Sequence, residues 1–326
     1  MTKNPIIAGL AAGGVAALLY LSLATGSGIG LLLFYLAPLP GFIAGFGWGI
    51  RAAMIAAGAG TLLILGSLGF TPALAYALTL AVPSIIITHY AFLFRRSDGV
   101  VEGGDDDDAT AEIEWYPVGN LVLIVALYGG LLAMLSILML GPSYEAYLDK
   151  VGSQLDLIVT KATDAGFFKQ LDPAQMQQYK AVVQAILPAS TAILWSLFAL
   201  FNMWVAAHIV KLSELLSRPW PDLARIEFPY KSSFLLVAML LASFVLPGTA
   251  GLILSGFVGG LMIAFLLLGL AVVHYVTRPY SARGLILFGT YTAVIFIGWG
   301  SIILIILGAI EPLAQIRRRA DMGPSS

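Results

Sequence analysis

The chain has 326 residues, of which 59% are hydrophobic and 11% charged, and its mean hydropathy is +0.92. Soluble domains carry about 25% charged residues, so this composition excludes a water-soluble protein of this size. The net charge of −1 gives no attraction to nucleic acid. The absence of cysteine excludes disulfides, thiolate metal sites and cysteine nucleophiles. The sequence therefore predicts a polytopic membrane protein.

Long apolar segments without strict alternation predict membrane-spanning helices rather than barrel strands. The first segment either stays as a helix or is a signal peptide ending at residues 22–24, and the many later spans favour the helix. We predict an all-α, polytopic transmembrane helix bundle of eight or nine spans. The candidate spans are 6–23, 29–50, 52–69, 72–94, 117–141, 183–211, 232–247, 249–276 and 284–310.

The distribution of Lys and Arg predicts the orientation, because cytoplasmic loops carry an excess of both. With nine crossings and a cytoplasmic N-terminus, ten Lys and Arg are cytoplasmic and seven external, and Arg317, Arg318 and Arg319 are external. If one C-terminal segment re-enters the membrane instead of crossing it, the balance becomes thirteen against four. We expect a cytoplasmic N-terminus in the bacterial cytoplasmic (inner) membrane and a C-terminus on the same side.

Three parts follow along the chain: a four-helix membrane part at 1–94, an acidic cytoplasmic linker at 95–116, and a C-terminal membrane part at 117–326. The linker contains four consecutive aspartates at 105–108, which lack the spacing of a calcium-binding EF-hand loop and favour a solvated linker. An external amphipathic helical segment is predicted at 142–182, acting either as a connector or as a lid over a binding site.

This external segment shows two helix signatures. One apolar face is predicted from residues spaced by three and four, and Asp172 followed by Pro173 is typical of a second helix start. The residues of the apolar face are Tyr144, Leu148, Val151, Leu155 and Ile158.

The stretch FYLAPLPGFIAGFGWGIRA at 34–52 places helix-breaking residues inside an apolar span. Pro38 and Pro40 lack N–H groups, so carbonyls at 34–36 lose their helical partners. Such backbone is tolerated at membrane depth when it is packed in protein or lines a wet cavity. The stretch is therefore either a packed kink or the border of a ligand cavity.

Polar and aromatic groups within the spans suggest further candidates. Asn202 lies deep in a span, where its amide must find a neighbouring helix or a ligand. His208 lies near the cytoplasmic end of that span, and Trp48 either lines a pocket or anchors at the interface. The candidate ligand-binding residues are Pro38, Pro40, Trp48, Asn202 and His208.

Small residues recur at helical spacing in the first two spans, which predicts close helix contacts. The candidate helix-packing residues are Gly9, Gly13, Gly41, Gly45 and Gly49.

Enzyme signatures are missing from the sequence: it has no P-loop, no HExxH, no GxSxG and no acidic pair inside a span. We predict a non-enzymatic protein without cofactor or metal site. The competing possibility, a lipid-processing enzyme, needs a polar cluster of Glu311, His274 and Arg278 brought together by the fold.

Three segments carry a family resemblance: LPASTAILWSLFALFN at 187–202, GLAVVHYVTR at 269–278 and ILGAIEPLAQIRRR at 306–319. Together they resemble the DUF2232 family, the YybS-like membrane proteins, in which a Leu-Gly-x-x-(Asp/Glu) stretch is followed by arginines. The matching positions here are Leu307, Gly308, Glu311 and Arg317 to Arg319. The family is distantly similar to the substrate-binding S components of energy-coupling-factor transporters, which dock an alanine-rich first helix on an energising module.

Our functional hypothesis is a small-molecule binding or transport subunit that needs an energising partner. The alternative is a structural or assembly protein whose glycine-rich faces bind other membrane helices. Both imply contact with membrane lipid and with an energising or other membrane-protein partner, and neither involves nucleic acid.

Overall fold

The computed structural model describes residues 4–97, 112–141, 143–164, 166 and 172–322. This part of the chain is almost entirely helical, because apolar segments in lipid must pair their backbone groups internally. Its α-helices are α1 Pro5–Leu21, α2 Gly28–Tyr35, α3 Leu39–Trp48, α4 Ile50–Leu68, α5 Phe70–Tyr76, α6 Val82–Ala91, α7 Val118–Leu140, α8 Tyr144–Asp164, α9 Pro173–Leu212, α10 Lys231–Val245, α11 Gly248–Val276, α12 Arg283–Thr292, α13 Trp299–Ala314 and α14 Ile316–Met322.

The predicted all-α, polytopic bundle is confirmed. Within the described ranges, seven helical segments are long and apolar enough to cross a membrane, and α12 with α13 adds an eighth if the bent pair is one span. The predicted span at 232–247 forms α10, whose 15 residues reach only about 22 Å against a hydrocarbon core of about 30 Å. Eight spans therefore agree with this structure better than nine, and the eighth is either the short α10 or the bent pair of α12 and α13.

The chain divides into two compact units, which differ from the predicted boundaries. Unit 1 comprises 1–124 and 198–227, and unit 2 comprises 125–197 and 228–326. The division falls inside α7 and α9, because the two ends of each long helix pack against different neighbours.

Unit 1 is held together by close packing of α1 on α4. A Cβ atom added at Gly9 would lie 2.8 Å from the Ala52 carbonyl oxygen, and one at Gly13 would lie 2.6 Å from that of Ala56. Such short approaches are possible only where both helix faces are small. The small face of α1 is therefore used inside the unit, whereas its outer face carries large aliphatic side chains such as Ile7 and Leu18.

Unit 2 is built around α11, which contacts its neighbours through glycines. A Cβ at Gly260 would lie 2.1 Å from the Ala126 carbonyl oxygen of α7, and one at Gly259 would lie 2.4 Å from that of Ala189 in α9. On another face of α11, a Cβ at Gly308 of α13 would lie 2.0 Å from the Phe265 carbonyl oxygen. Gly308 belongs to the segment that carries the family resemblance. Part of that segment therefore serves the close contact between α13 and α11.

The ends of the predicted acidic linker form a two-stranded antiparallel ribbon. Strand β1, Phe94–Ser97, pairs with β2, Glu112–Trp115, and an exposed ion pair joins Arg95 to Glu114 across it. The four aspartates predicted to be solvated lie outside the described residues.

The two helices predicted at 142–182 are present as α8 and the beginning of α9. Asp172 accepts a hydrogen bond from the Gln175 backbone N–H at 2.8 Å, and the Gln175 side chain accepts one from the Asp172 N–H at 3.0 Å. This reciprocal capping confirms the predicted helix start. The helix then continues without interruption into the span at 183–211.

Along the predicted apolar face of α8, Val151 is buried and Leu148 and Leu155 are partly buried, whereas Ile158 is 61% exposed. Tyr147, which the pattern left out, is buried instead. The face is therefore rotated slightly toward Tyr147.

The C-terminal region contains a sharp bend and a buried ion pair. At Gly298, with φ of +70°, the axis turns by 119° between the α12 side and α13. In the last turn of α13, the Glu311 carboxylate accepts hydrogen bonds from Arg317 Nε at 2.8 Å and from the Ile316 backbone N–H at 2.9 Å. Glu311 thus caps α14 and neutralises Arg317 in a largely buried setting.

Candidate functional site

The second span is broken between α2 and α3, where the two prolines lie. Pro38 offers no N–H to the Phe34 carbonyl, and Pro40 offers none to Leu36. Both carbonyls instead accept from the N–H three residues further on, at 3.1 and 3.0 Å. The tightened turn therefore satisfies two of the three carbonyls that the sequence predicts to be free.

The third carbonyl, that of Tyr35, is satisfied by Asn202. Its helical donor, the N–H of Leu39, is engaged with Leu36. Asn202 Nδ2 donates to the Tyr35 oxygen at 2.9 Å and to the Phe198 oxygen of its own helix at 2.8 Å. The Tyr35 and Phe198 rings stack with centroids 3.9 Å apart. The sequence predicts that the Asn202 amide needs a partner, and this partner is the Tyr35 carbonyl of the neighbouring broken span.

The Asn202 site is completely enclosed. The side chain is 0% exposed, and its Oδ1 has no hydrogen-bond partner among the described residues. Both hydrogen bonds are donated by Asn202 Nδ2, so Oδ1 takes no part in the contact with Tyr35. The arrangement is a helix-to-helix link.

The cavity expected beside the prolines is too small for an organic ligand. Pro38 borders a space of about 10 Å³ together with Tyr76 and Ser84, which is room for about one water molecule. Ligand pockets have volumes of about 300–1,000 Å³. The sequence left two interpretations of the stretch at 34–52, a packed kink and the border of a ligand cavity. The structure agrees with the packed kink.

A larger cavity lies elsewhere in unit 1, between α3, α6, the start of α7, the end of α9 and the loop that follows it. Its volume is about 100 Å³, and Trp204 on its wall is 45% exposed, so it opens to the surface. We call it the aromatic pocket. Its lining includes Phe46, Phe92, Met203, Trp204, Ala207, Arg218 and Trp220.

Arg218 holds one wall of this pocket in place. Its guanidinium donates to the carbonyl of Ala91, the last residue of α6, at 3.0 Å, and to that of Tyr116, just before α7, at 2.7 Å. The helix dipole makes the Ala91 position favourable for a cation. Burial lowers the pKa of Arg218 from its usual value. Within the described ranges no carboxylate pairs with this charge.

His208 and Lys211 contact the tryptophan rings that line the pocket. The His208 ring stacks on Trp204 at 5.6 Å and meets Trp220 edge to face at 5.6 Å. Lys211 Nζ lies 4.6 Å from the centre of the Trp220 ring, which is a cation–π distance. Of the predicted ligand-binding residues, His208 is thus the one that contacts walls of the aromatic pocket.

The remaining predicted ligand-binding residues lie away from this pocket. Trp48 ends α3 and packs on the small residues Ala44, Ala52 and Ala56, and Pro40 lies in the first turn of α3. Sequence reasoning missed Arg218 and Trp220. The available signal was the SRPWPD segment at 217–222, where two prolines stiffen a loop around a tryptophan.

The predicted helix-packing glycines divide into three groups. Gly9, Gly13 and Gly45 lie where a Cβ would come within 3 Å of a neighbouring helix, and at Gly41 the nearest atom would be 3.4 Å away. Gly49 has open space around it, and its φ of +85° and ψ of −177° are accessible almost only to glycine. Gly49 therefore ends α3 and starts α4 instead of packing a helix.

The sequence offered Glu311, His274 and Arg278 as an alternative polar cluster. In the structure each of them contacts a different residue. Glu311 binds Arg317, and His274 Nε2 hydrogen-bonds the Tyr291 hydroxyl at 2.9 Å. The Arg278 guanidinium lies 5.1 Å from the Tyr275 ring centre. Each member of the cluster therefore has a contact of its own in unit 2.

The helical architecture and the large aliphatic side chains on helix surfaces define a multi-pass α-helical membrane protein. A family model described as "Predicted membrane protein (DUF2232)" matches residues 14–312. The chain therefore belongs to the DUF2232 family. Comparisons with curated proteins and with solved structures gave no match. The family description names no activity, so the similarity to S components remains a prediction.

Proposed function

We propose that this protein is a non-enzymatic binding subunit of a membrane transport system and that the aromatic pocket takes its small-molecule ligand. An energising partner supplies the driving force, because the sequence contains no nucleotide-binding motif and no acidic pair within a span. One observation carries the proposal: the pocket has apolar, aromatic walls and opens to the surface, so with a volume of about 100 Å³ it can enclose part of a small molecule.

A thermal-shift screen of the purified protein in detergent tests this proposal. The screen covers vitamins, lipids and lipid precursors, and we expect at least one compound to raise the unfolding temperature. Ala207→Leu is the matched variant, because the added side chain fills the pocket from its own wall. We expect the variant to fold and to lose the ligand-dependent shift. The proposal is wrong if no compound stabilises the protein, or if Ala207→Leu keeps the full shift.

The structural or assembly role is less well supported by the packing. The glycines proposed to bind other membrane helices are used inside unit 1, where Gly9 and Gly13 contact α4. Pull-down from native membranes separates the two functions. An ATPase among stoichiometric partners supports the transport subunit, and a stoichiometric partner without an ATPase supports the assembly role.

A further inference from the structure

The size of the aromatic pocket limits what part of a ligand it can enclose. Its volume of about 100 Å³ is below the roughly 150 Å³ of an engineered cavity that binds benzene. Only a few carbon atoms fit inside. A ligand with useful affinity must therefore keep most of its apolar surface outside the pocket, and in a membrane protein the neighbouring medium is lipid.

The tryptophans around the pocket favour a position at the level of the lipid headgroups. Trp204 and Trp220 line it, and the Trp115 ring centre lies 5.9 Å from the Arg218 guanidinium. Tryptophans concentrate at the membrane–water interface, where their rings contact both chains and headgroups. Lys211 is at the last turn of α9, where a span ends. An amphiphile already in the bilayer can reach this site along its own leaflet.

Two basic residues lie next to the aromatic pocket, and neither forms an ion pair in the part of the chain that the structure describes. Arg218 uses two of its N–H groups on backbone carbonyls, which leaves other donors of its guanidinium available. Lys211 Nζ lies over the Trp220 ring, one of the pocket walls. The nearest carboxylates in sequence are Glu214 and Asp222, and neither forms an ion pair with Lys211 or Arg218 among the described residues, since Asp222 pairs with Arg225. Two cations beside an apolar pocket complement an anionic headgroup with an attached chain.

We propose that the ligand of the aromatic pocket is an anionic membrane phospholipid, with part of one acyl chain between Trp204 and Trp220 and the phosphate at Lys211 and Arg218. This inference rests on the proposed function, since it names the ligand class of the same site. It adds that recognition depends on the negative charge of a two-chain lipid and that the lipid enters from the bilayer.

Quenching of tryptophan fluorescence by lipids with brominated chains tests the inference on the full chain in mixed micelles. We compare phosphatidylglycerol with phosphatidylcholine of the same chains and take the quenching lost in Ala207→Leu as the pocket signal. Phosphatidylglycerol is expected to bind about tenfold more tightly, as one charge-assisted hydrogen bond provides. Lys211→Gln should weaken phosphatidylglycerol about three- to tenfold and leave phosphatidylcholine unchanged.

The controls separate the possible results. Lys231→Gln removes a basic residue that does not line the pocket and should change neither affinity. Lys211→Gln is preferred to a change at Arg218, because it leaves the hydrogen bonds to Ala91 and Tyr116 intact. Addition of inorganic phosphate or of a free fatty acid identifies the source of the anion. Neither should displace phosphatidylglycerol at equal concentration.

Equal pocket signals from the two phospholipids would overturn the charge preference and leave the proposed function standing. Displacement by the fatty acid would overturn the phospholipid assignment and show that a single-chain amphiphile is bound. Displacement by phosphate alone would show that the acyl chain is not recognised. No pocket signal from any lipid would overturn this inference, and the thermal-shift screen would then decide the proposed function separately.

Discussion

At two proline-disturbed turns, one carbonyl without its helical donor is satisfied by a side chain from another helix. At the broken second span, the Tyr35 carbonyl accepts from Asn202. In α9, Pro188 has no N–H for the Gln184 carbonyl, which accepts from the Tyr147 hydroxyl at 3.0 Å. The same chemistry thus recurs in both units. Each of these two turns provides one acceptor for a tertiary contact, and one matching side chain gives that contact its specificity.

Replacing Asn202 by leucine should lower the free energy of unfolding by about 1–3 kcal/mol, because the Tyr35 carbonyl then stays buried without a donor. Denaturation in a titration with sodium dodecyl sulfate measures the change. Combining the substitution with Pro38→Ala and Pro40→Ala restores a regular helix, so the loss should shrink in that background. Thr191→Val removes a hydroxyl that bonds only its own helix and serves as control. A loss equal in both backgrounds would contradict the carbonyl link.

Tyr147→Phe should lower the free energy of unfolding by about 1–3 kcal/mol, and less when Pro188→Ala returns an N–H to Gln184. Burial, with a smaller effect of Tyr144, raises the pKa of Tyr147 to about 12. The unfolded value is about 10, so the contribution is complete below about pH 10 and is lost as the pH rises toward 12. The near-ultraviolet titration curves of the two proteins should differ near pH 12. A difference near pH 10 would show an exposed phenol.

Whole helices in this protein associate through faces from which side chains are missing. In unit 1 the glycine face of α1 meets α4, and in unit 2 the glycines of α11 meet α7 and α9. In lipid, burial of apolar surface does not drive helix association, so close backbone contact and van der Waals packing must do so. Glycine spacing in the sequence indicated that the first two spans pack closely. It did not show that α4 is the partner of α1.

Gly13→Leu should strongly destabilise unit 1, whereas Gly14→Leu should be tolerated. A Cβ at Gly13 would lie 2.6 Å from the Ala56 carbonyl oxygen, but a Cβ at Gly14 meets nothing within 4 Å. Overpacking of this kind costs about 1–3 kcal/mol or more. The midpoint of thermal unfolding in detergent measures both variants, which differ by one position on one helix. Equal midpoints would show that α1 and α4 are not packed through this face.

For the molecule as a whole, the bend at Gly298 bears on its topology. A turn of 119° sends α13 back toward the side from which α12 comes, which is the geometry of a re-entrant segment. A re-entrant segment leaves the C-terminus on the side of Arg283, and with the short α10 as a crossing the Lys and Arg balance favours one side by thirteen to four. We therefore retain the prediction that both termini are cytoplasmic.

Cysteine labelling with a membrane-impermeant reagent tests this topology in a chain that has no native cysteine. We expect Ser153→Cys, on the exposed side of α8, to be labelled in intact cells. Ser325→Cys should react only in inverted membrane vesicles. Labelling of Ser325→Cys in intact cells would place the C-terminus outside and contradict this topology.

The sequence by itself determined the solvent, the positions of the helices and the carbonyls that lose their donors, because hydropathy and the missing proline N–H are local properties of the chain. Only the tertiary structure decided which side chain donates a hydrogen bond to each carbonyl and where a cavity forms. Asn202 and Tyr35 are 167 positions apart, and the aromatic pocket joins residues from 46 to 223. Periodicity shows which face of a helix is apolar, but the neighbour of that face depends on how all the helices share the available volume.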